Sequence, residues 1–262
     1  KTSVDIKNGE LQHKTNCILI VISSICCLIV YVFGITDCIY AVGIDEYWYN
    51  VMHPSNIYEK YYVDPSTVNY TFPETKRNLI YIFMESMETT YEDTAHGGYF
   101  EESLIPELTE LSVNNLTFTN GDYSNNGFYA PAMSGWTAAA LVGQTSGLPL
   151  NTPAGANSYL SDKSFLPGAY TLGDLLEDNG YQNEILLGSD AKFGGREYYF
   201  NLHGNYKIVD YDSAVKNGWI DKDYYVWWGY EDLKLFEFAK IELTNLAASG
   251  QPFNFNMLTA DT

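Results

Sequence analysis

The sequence predicts an α/β protein: a mixed or mainly parallel sheet flanked by helices, preceded by one transmembrane helix. Three observations predict it. Short apolar runs rich in β-formers recur along the chain, as NLIYIFM (78–84), EILLGSD (184–190) and QPFNFNMLTAD (251–261). Stretches with apolar residues at helical spacing lie between them, and strands alternating with helices favour a largely parallel sheet covered by helices. Near the start, one uncharged run is long enough to cross a bilayer.

That run is CILIVISSICCLIVYVFGIT, residues 17–36, about 30 Å long as a helix. Lys7 and Lys14 precede it, and Asp37, Asp45 and Glu46 follow it. The positive-inside rule puts residues 1–16 in the cytoplasm and the rest outside the cell, extracellular or periplasmic. A cleaved signal peptide is the rival, but no small-x-small site ends the run. All four cysteines, Cys17, Cys26, Cys27 and Cys38, lie in or beside it, so no disulfide framework or cysteine metal site is expected elsewhere.

Residues 37–75, rich in Tyr, Asn, Pro and acids, read as an extracellular connector, and residues 76–262 as the main domain. Within that domain, 78–84 reads as a strand buried on both faces. LIPELTELSVNN (104–115) reads as a helix, FTNGDYSN (118–125) as a turn cluster, and Thr137 to Thr145 as a small-residue helix. AYTLGDLLEDNGY (169–181) is a helix stopped by Gly180. Residues 229–247 form an amphipathic helix before the third strand.

Charge narrows the partners. The net charge is −19 and the pI about 4.3. Nucleic acid is excluded, because phosphate backbones need clustered Lys and Arg. The 23 tyrosines and 5 tryptophans serve packing or sugar stacking, and Trp227 and Trp228 are the pair on which the stacking reading rests.

In open parallel sheets, ligands bind beyond the carboxyl ends of the strands. The polar residues there are Glu85, the Gly188-Ser189-Asp190 turn and Asp261. Glu85 can ligate a hard cation such as Mg²⁺ or Mn²⁺, or it can be an acid favouring a helix dipole. Thr137 stands in the first turn of its helix, where free N–H groups suit phosphate, or it is merely near an N-cap. His203 in NLHGNY can contact phosphate or a glycerol hydroxyl, or be a structural turn histidine. Asp190 can orient a neighbour or cap a turn.

An ordered set of blocks adds to this. NLIYIFMESMETTY, LIPELTEL, GWTAAALVGQTSGLPL, FLPGAYTLGDLLEDNGY, GSDAKFGGREYYFNLHGNY and NMLTADT, over roughly residues 70–262, resemble the phosphoglycerol transferases and lipoteichoic-acid-synthase-like proteins. These lie within the alkaline phosphatase/sulfatase superfamily. The resemblance implies that Glu85 is a metal ligand and that Thr137 is both the nucleophile and a metal ligand. It implies that Arg196 binds phosphate; His203 is kept as a second substrate-binding candidate. It implies a divalent cation, Mn²⁺ or Mg²⁺ with Zn²⁺ a further option. Phosphatidylglycerol would be the donor, and a glycan or polyglycerolphosphate chain the acceptor, at the membrane.

The chain departs from the family pattern in two places. The tryptophan that lipoteichoic acid synthases carry just before the arginine is replaced within Gly194-Gly195, which shifts the resemblance towards the transferases acting on periplasmic glucans. The Asp-His pair that completes the family's metal site has no counterpart, since none of His13, His53, His96 and His203 follows an Asp. The expectation is a catalytic domain represented by its N-terminal part, in which the 252–260 strand is left as an apolar edge. Two rival functions stand beside transfer: a sulfatase or phosphatase passing its group to water, and an inactive binding protein on the same fold. The first lacks a Cys-x-Pro-x-Arg or Ser-x-Pro-x-Arg motif.

Overall fold

A computed structural model of the chain describes residues 3–54, 56–119, 127, 130, 134–150 and 164–260. The turn cluster expected at 118–125 lies almost wholly outside these residues, and so does Asp261. The chain divides into two compact units, 1–63 and 64–262.

In the first unit, α1 (Ser3–Ala41) runs through the expected membrane segment and beyond it on both sides. Its stretch Asn16–Ala41 is long and apolar enough to cross a membrane. The Ser24 and Thr36 hydroxyls donate back to the carbonyls of Ile20 and Val32, at 2.9 and 2.8 Å, so neither is left unpaired along the apolar helix. Gly43, at φ 66°, separates α1 from α2 (Ile44–Met52). α3 (Ile57–Tyr61) follows. The stretch read as a connector is therefore partly helical. Asp45 and Glu46 in the first turn of α2 favour its N-terminus, and no Gly or Pro interrupts it before Pro54.

The second unit is built on four parallel strands in the order β1-β4-β2-β3. These are β1 (Leu79–Phe83), β2 (Gln182–Leu187), β3 (Lys207–Val209) and β4 (Phe253–Leu258). The helices are α4 (Pro106–Asn114), α5 (Thr137–Ser146), α6 (Leu172–Asp178), α7 (Arg196–Leu202), α8 (Tyr211–Lys216) and α9 (Asp232–Ala248). β3, α7 and α8 were not anticipated: each is seven residues or fewer, too short for a periodic pattern to stand out.

Two apolar clusters sandwich the sheet. One joins Phe83, Ile185, Leu187 and Leu258 to Ala139 and Leu141 of α5 and Phe200 of α7. The other joins Leu186, Phe255 and Met257 to Ala214 of α8 and Leu235 and Phe238 of α9. β2 and β4 are thus covered on both faces, as their unbroken buried runs require. β4 is not the edge that the sequence implied, since β1 and β2 flank it. Among the described strands the edges are β1 and β3, and Ile80 and Ile82 on one face of β1 are 49% and 39% exposed, contrary to the reading of this strand as buried on both faces.

The buried face of β4 is half polar. Asn254 Nδ2 donates to Asn183 Oδ1 (2.9 Å) and to the Tyr206 hydroxyl (2.8 Å). Asn256 Nδ2 donates to Asn254 Oδ1 (3.0 Å), and Asn183 Nδ2 to the carbonyls of Gly173 and Gly204. The amides pair with one another, which makes their burial tolerable, although Asn256 Oδ1 is left buried without a partner among the described residues. Asn254→Leu strands Asn183 Oδ1 and leaves the Tyr206 hydroxyl only the longer bond from Asn256 Nδ2 (3.4 Å). It should cost about 2–4 kcal/mol in urea unfolding, and a loss under about 0.5 kcal/mol would show that the ladder contributes little.

One row along and on the opposite face of the sheet, Glu184 on β2 faces Lys207 on β3, with Nζ 3.1 Å from Oε2. Lys207 also pairs with buried Glu242 of α9. Burial and the neighbouring Glu242 push Glu184 up to about 7, against the pull of Lys207. A carboxyl raised in the folded state keeps a proton that the unfolded chain has already released. Stability is therefore fullest below the ordinary value of 4.5 and declines as pH rises towards about 7. Glu184→Gln should remove this slope: thermal midpoints should match wild type near about pH 5 and exceed it near about pH 8. A variant equally destabilised at both would contradict this.

Candidate active site

A cavity of about 430 Å³ opens beyond the carboxyl ends of β1, β2 and β4. Glu85 and Ser86 reach it from β1, Gly188 and Ser189 from β2, and Thr259 and Ala260 from β4. The N-termini of α5 and α7 add Thr137 and Arg196, and Trp227 and Trp228 close one side. Glu85, Thr137 and Arg196, three of the four expected site residues, thus share one cavity.

The strand ends are tied together. Thr259 N–H donates to the Phe83 carbonyl (3.0 Å), and its hydroxyl accepts from Glu85 N–H (2.9 Å). Ser86 follows at φ 54°, a left-handed conformation uncommon for a residue with a Cβ. Trp227, at φ 56°, is a second such residue on the cavity wall. Non-glycine residues held there store strain, which clusters at functional sites.

Thr137 is the first residue of α5, behind an extended Trp136 that offers no side-chain cap. The first amides of the helix point towards the cavity mouth with the positive end of its dipole. Ala138 and Ala139 behind it are buried, and Gly194 passes near enough that an added Cβ would lie 3.6 Å from that of Ala138. That is ordinary van der Waals contact, so glycine at 194 is called for by its φ of 67° rather than by lack of space. α5 ends at Gly147, at φ 70°.

Arg196 is buried and begins α7. Its Nε donates to the Phe193 carbonyl (2.9 Å), and Nη2 to Ser189 Oγ (3.0 Å) and the Asp190 carbonyl (2.6 Å). The two Nη1 donors have no partner among the described residues. Burial depresses the guanidinium pKa, while Asp190, Asp210 and Glu85 act to raise it. Three of the five guanidinium donors are therefore committed to the protein.

His203 is not brought to the site, and its expected role in substrate binding is set aside. It is 3% exposed, its Nε2 donates to the Phe165 carbonyl (2.7 Å), and Nδ1 lies 3.4 Å from Asp174. It is a core histidine joining α6 to α7. Asp190 caps a turn through Lys192 N–H (2.8 Å). Thr259 and Phe193 were not read as site residues from sequence, and Trp227 and Trp228 were left between packing and sugar stacking. Only the position of Thr259 just past a strand signalled it.

For a divalent cation, Glu85 and Thr137 offer oxygen donors of the hard type that suits Mg²⁺ or Mn²⁺. Their number falls short. Among the described residues no group of three or more His, Cys, Asp and Glu is placed to hold a metal, so these residues do not make a metal site by themselves.

Phosphoglycerol transferase I of Xanthomonas campestris pv. campestris (strain B100) is 34% identical over 212 residues, 76% of this chain and 28% of that protein. Phosphoglycerol transferase I of Escherichia coli O127:H6 is 33% identical over 202 residues, 77% of this chain and 24% of that protein. The chain is a homologue of the phosphoglycerol transferases. It spans about a quarter of the length of the curated relatives it matches. The solved structure of the lipoteichoic acid synthase LtaP from Listeria monocytogenes shares the fold, with a TM-score of 0.52 at 19% identity over 70% of this chain and 40% of that one. No protein-family model matches the chain. The family expected from the ordered sequence blocks, and the parallel sheet flanked by helices, are both borne out.

In this transferase homologue, the loop bearing Trp227 and Trp228 is anchored by glycine. Tyr230 N–H donates to the Gly188 carbonyl (3.0 Å), and a Cβ on Gly229 would sit 1.9 Å from that same oxygen. Gly229→Ala should lift the loop and speed tryptic cleavage after the exposed Lys222. Cleavage at the wild-type rate would show that the loop tolerates the methyl group.

Proposed function

We propose that this cavity is a phosphoglycerol transfer site in which Thr137 is the nucleophile. Thr137 Oγ attacks the phosphorus of phosphatidylglycerol. The bond from phosphorus to the diacylglycerol oxygen breaks, the Thr137 proton is released, and diacylglycerol leaves with a proton on its oxygen. A glycerophospho-threonine remains, and a hydroxyl of the acceptor displaces Thr137 in turn. The free Nη1 side of Arg196 holds phosphate oxygens, and the first amides of α5 face the charge that develops there. Glu85 and Thr137 are the ligands this part of the chain would contribute to a Mg²⁺ or Mn²⁺ ion, which would act as a Lewis acid at the phosphate.

The observation that carries this reading is the convergence of an uncapped helix N-terminus, a threonine, a half-committed buried arginine and a carboxylate on one cavity. The homology to phosphoglycerol transferases supports it, and α1 supplies a segment able to anchor the chain at a lipid surface. The flanking charges support placing the domain outside the cell.

Two substitutions test it, in the full-length protein. Thr137→Ala should abolish diacylglycerol release from labelled phosphatidylglycerol with little change in thermal midpoint. Release within a few-fold of wild type would remove Thr137 as nucleophile. Arg196→Lys keeps the charge but loses the fork, so kcat/KM should fall by about 1–3 kcal/mol in barrier. It should also lower the thermal midpoint, because the bonds to the Phe193 and Asp190 carbonyls are lost. Unchanged kinetics would place the phosphate elsewhere.

A further inference from the structure

Past α1, the chain sorts its residues by face. In α2, Ile44, Tyr47, Trp48, Val51 and Met52 recur at the i, i+3, i+4, i+7, i+8 spacing of a single helical stripe. Asp45, Glu46, Tyr49 and Asn50 fill the other side. Every residue of the stripe is half or more exposed, and no residue of α2 is buried. On the polar side, Tyr49 stacks on His53 with ring centres 4.3 Å apart, and His53 Nδ1 donates to the Tyr49 carbonyl (3.0 Å). On the apolar side, the Tyr47 and Trp48 side chains have no ring or hydrogen-bond partner among the described residues.

The position of the stripe indicates what covers it. The stretch of α1 able to cross a membrane, Asn16–Ala41, has 26 residues, about 39 Å as a helix. A bilayer is about 30 Å thick in its hydrocarbon and about 40–45 Å with its headgroup layers, so a span of this length ends among the headgroups. Gly43, at φ 66°, then breaks the helix, and the bond from Tyr47 N–H to the Gly43 carbonyl (2.9 Å) starts α2 at once. From Ala41 to Ile44 the chain reaches at most about 10 Å. α2 therefore begins at the lipid boundary, where Trp and Tyr, each with an apolar body and a polar tip, are the side chains that collect.

We propose that α2 lies in the membrane interface, with Ile44, Tyr47, Trp48, Val51 and Met52 in lipid, as a second attachment of the chain to the bilayer. This rests on the reading of α1 as a membrane span, and it takes residues 44–52 out of the aqueous connector. Helices of this kind usually carry Lys and Arg opposite the apolar face. α2 carries Asp45 and Glu46 and no base, so the contact is apolar and aromatic and needs no anionic lipid. Seated in this way, α2 limits how far α1 can slide through the bilayer. Movement one way pulls the stripe into water, and movement the other way drives Asp45 and Glu46 into hydrocarbon.

The test uses the full-length protein, with every native cysteine changed to alanine, in phosphatidylcholine vesicles. Nitroxide labels are placed one at a time by Glu46→Cys, Trp48→Cys, Asn50→Cys and Val51→Cys, with Ile25→Cys in α1 as the reference for the bilayer core. Each variant removes at most one of the five apolar side chains. Collision of each label with oxygen, which concentrates in lipid, and with a water-soluble nickel chelate is measured. The oxygen-to-chelate ratio at positions 48 and 51 should exceed that at 46 and 50 several-fold, at a depth of about 5–10 Å. Free access of the chelate to all four positions would put α2 in water. Shielding of positions 48 and 51 from both reagents would put protein, a second copy or a further part of the chain, over the stripe. Either result overturns the proposal. Chelate access at position 25 would remove the span on which it rests, and overturns it by a separate reading. Without any label, brominated phosphatidylcholine should quench a component of the wild-type tryptophan emission that Trp48→Phe lacks, and equal quenching of the two would overturn the proposal as well. None of these measurements needs turnover, so the result is independent of donor and nucleophile.

Discussion

The register of three parallel strands is the constraint on which the site depends. Phe83 of β1, Leu258 of β4 and Leu187 of β2 lie in one row across the sheet. The residues after each therefore leave the sheet along one line, and Glu85, Thr259 and Gly188 arrive at one cavity. The register is fixed by what lies on either face of β4. A slip of one residue would turn Asn254 and Asn256 towards Phe238 and Leu235, and Phe255 towards the amide ladder. Both outcomes bury unpaired polar groups, so the core that fixes the sheet also aligns the site.

The cavity itself is divided by how its polar groups are already used. Arg196 spends three hydrogen bonds on shaping the 189–193 loop, which is why it can stay buried and oriented before any substrate arrives. Among the described residues Thr137 has no such hydrogen bond, and the Trp136 side chain does not cap the helix that it starts. In the proposed reaction Arg196 is held in place before substrate arrives, so that little reorganisation is left for the moment of attack. Both sites of strain, Ser86 and Trp227, line this cavity.

Much of this was legible in the sequence for identifiable reasons. β1, β2 and β4 announce themselves as unbroken apolar runs, and α6 and α9 by periodicity, with the Thr171–Asp174 capping box and Gly180 marking the limits of α6. Glu85 and Thr137 were found because each follows or opens a recognisable element. The order of strands was not legible. Nothing in FNFNML distinguishes a central strand from an edge, so β4 was misplaced and β1 was given two covered faces. His203 was kept as a site candidate because a histidine in NLHGNY can contact phosphate or a glycerol hydroxyl. Its ring instead turns inward to Phe165 and Asp174, a partnership across 38 residues that local pattern does not carry. The aromatic wall was ambiguous because tryptophans pack as readily as they bind, and only their exposure separates the two roles.

The role of Thr137 is tested most directly by looking for the covalent intermediate. The full-length protein would be mixed with phosphatidylglycerol labelled in its headgroup, quenched in acid within a single turnover, digested, and mapped by mass spectrometry. A glycerophosphate group on Thr137, formed as diacylglycerol appears and lost when an acceptor is added, is the predicted result. Diacylglycerol release with the label on another residue, or with no covalent label at any time, would contradict it.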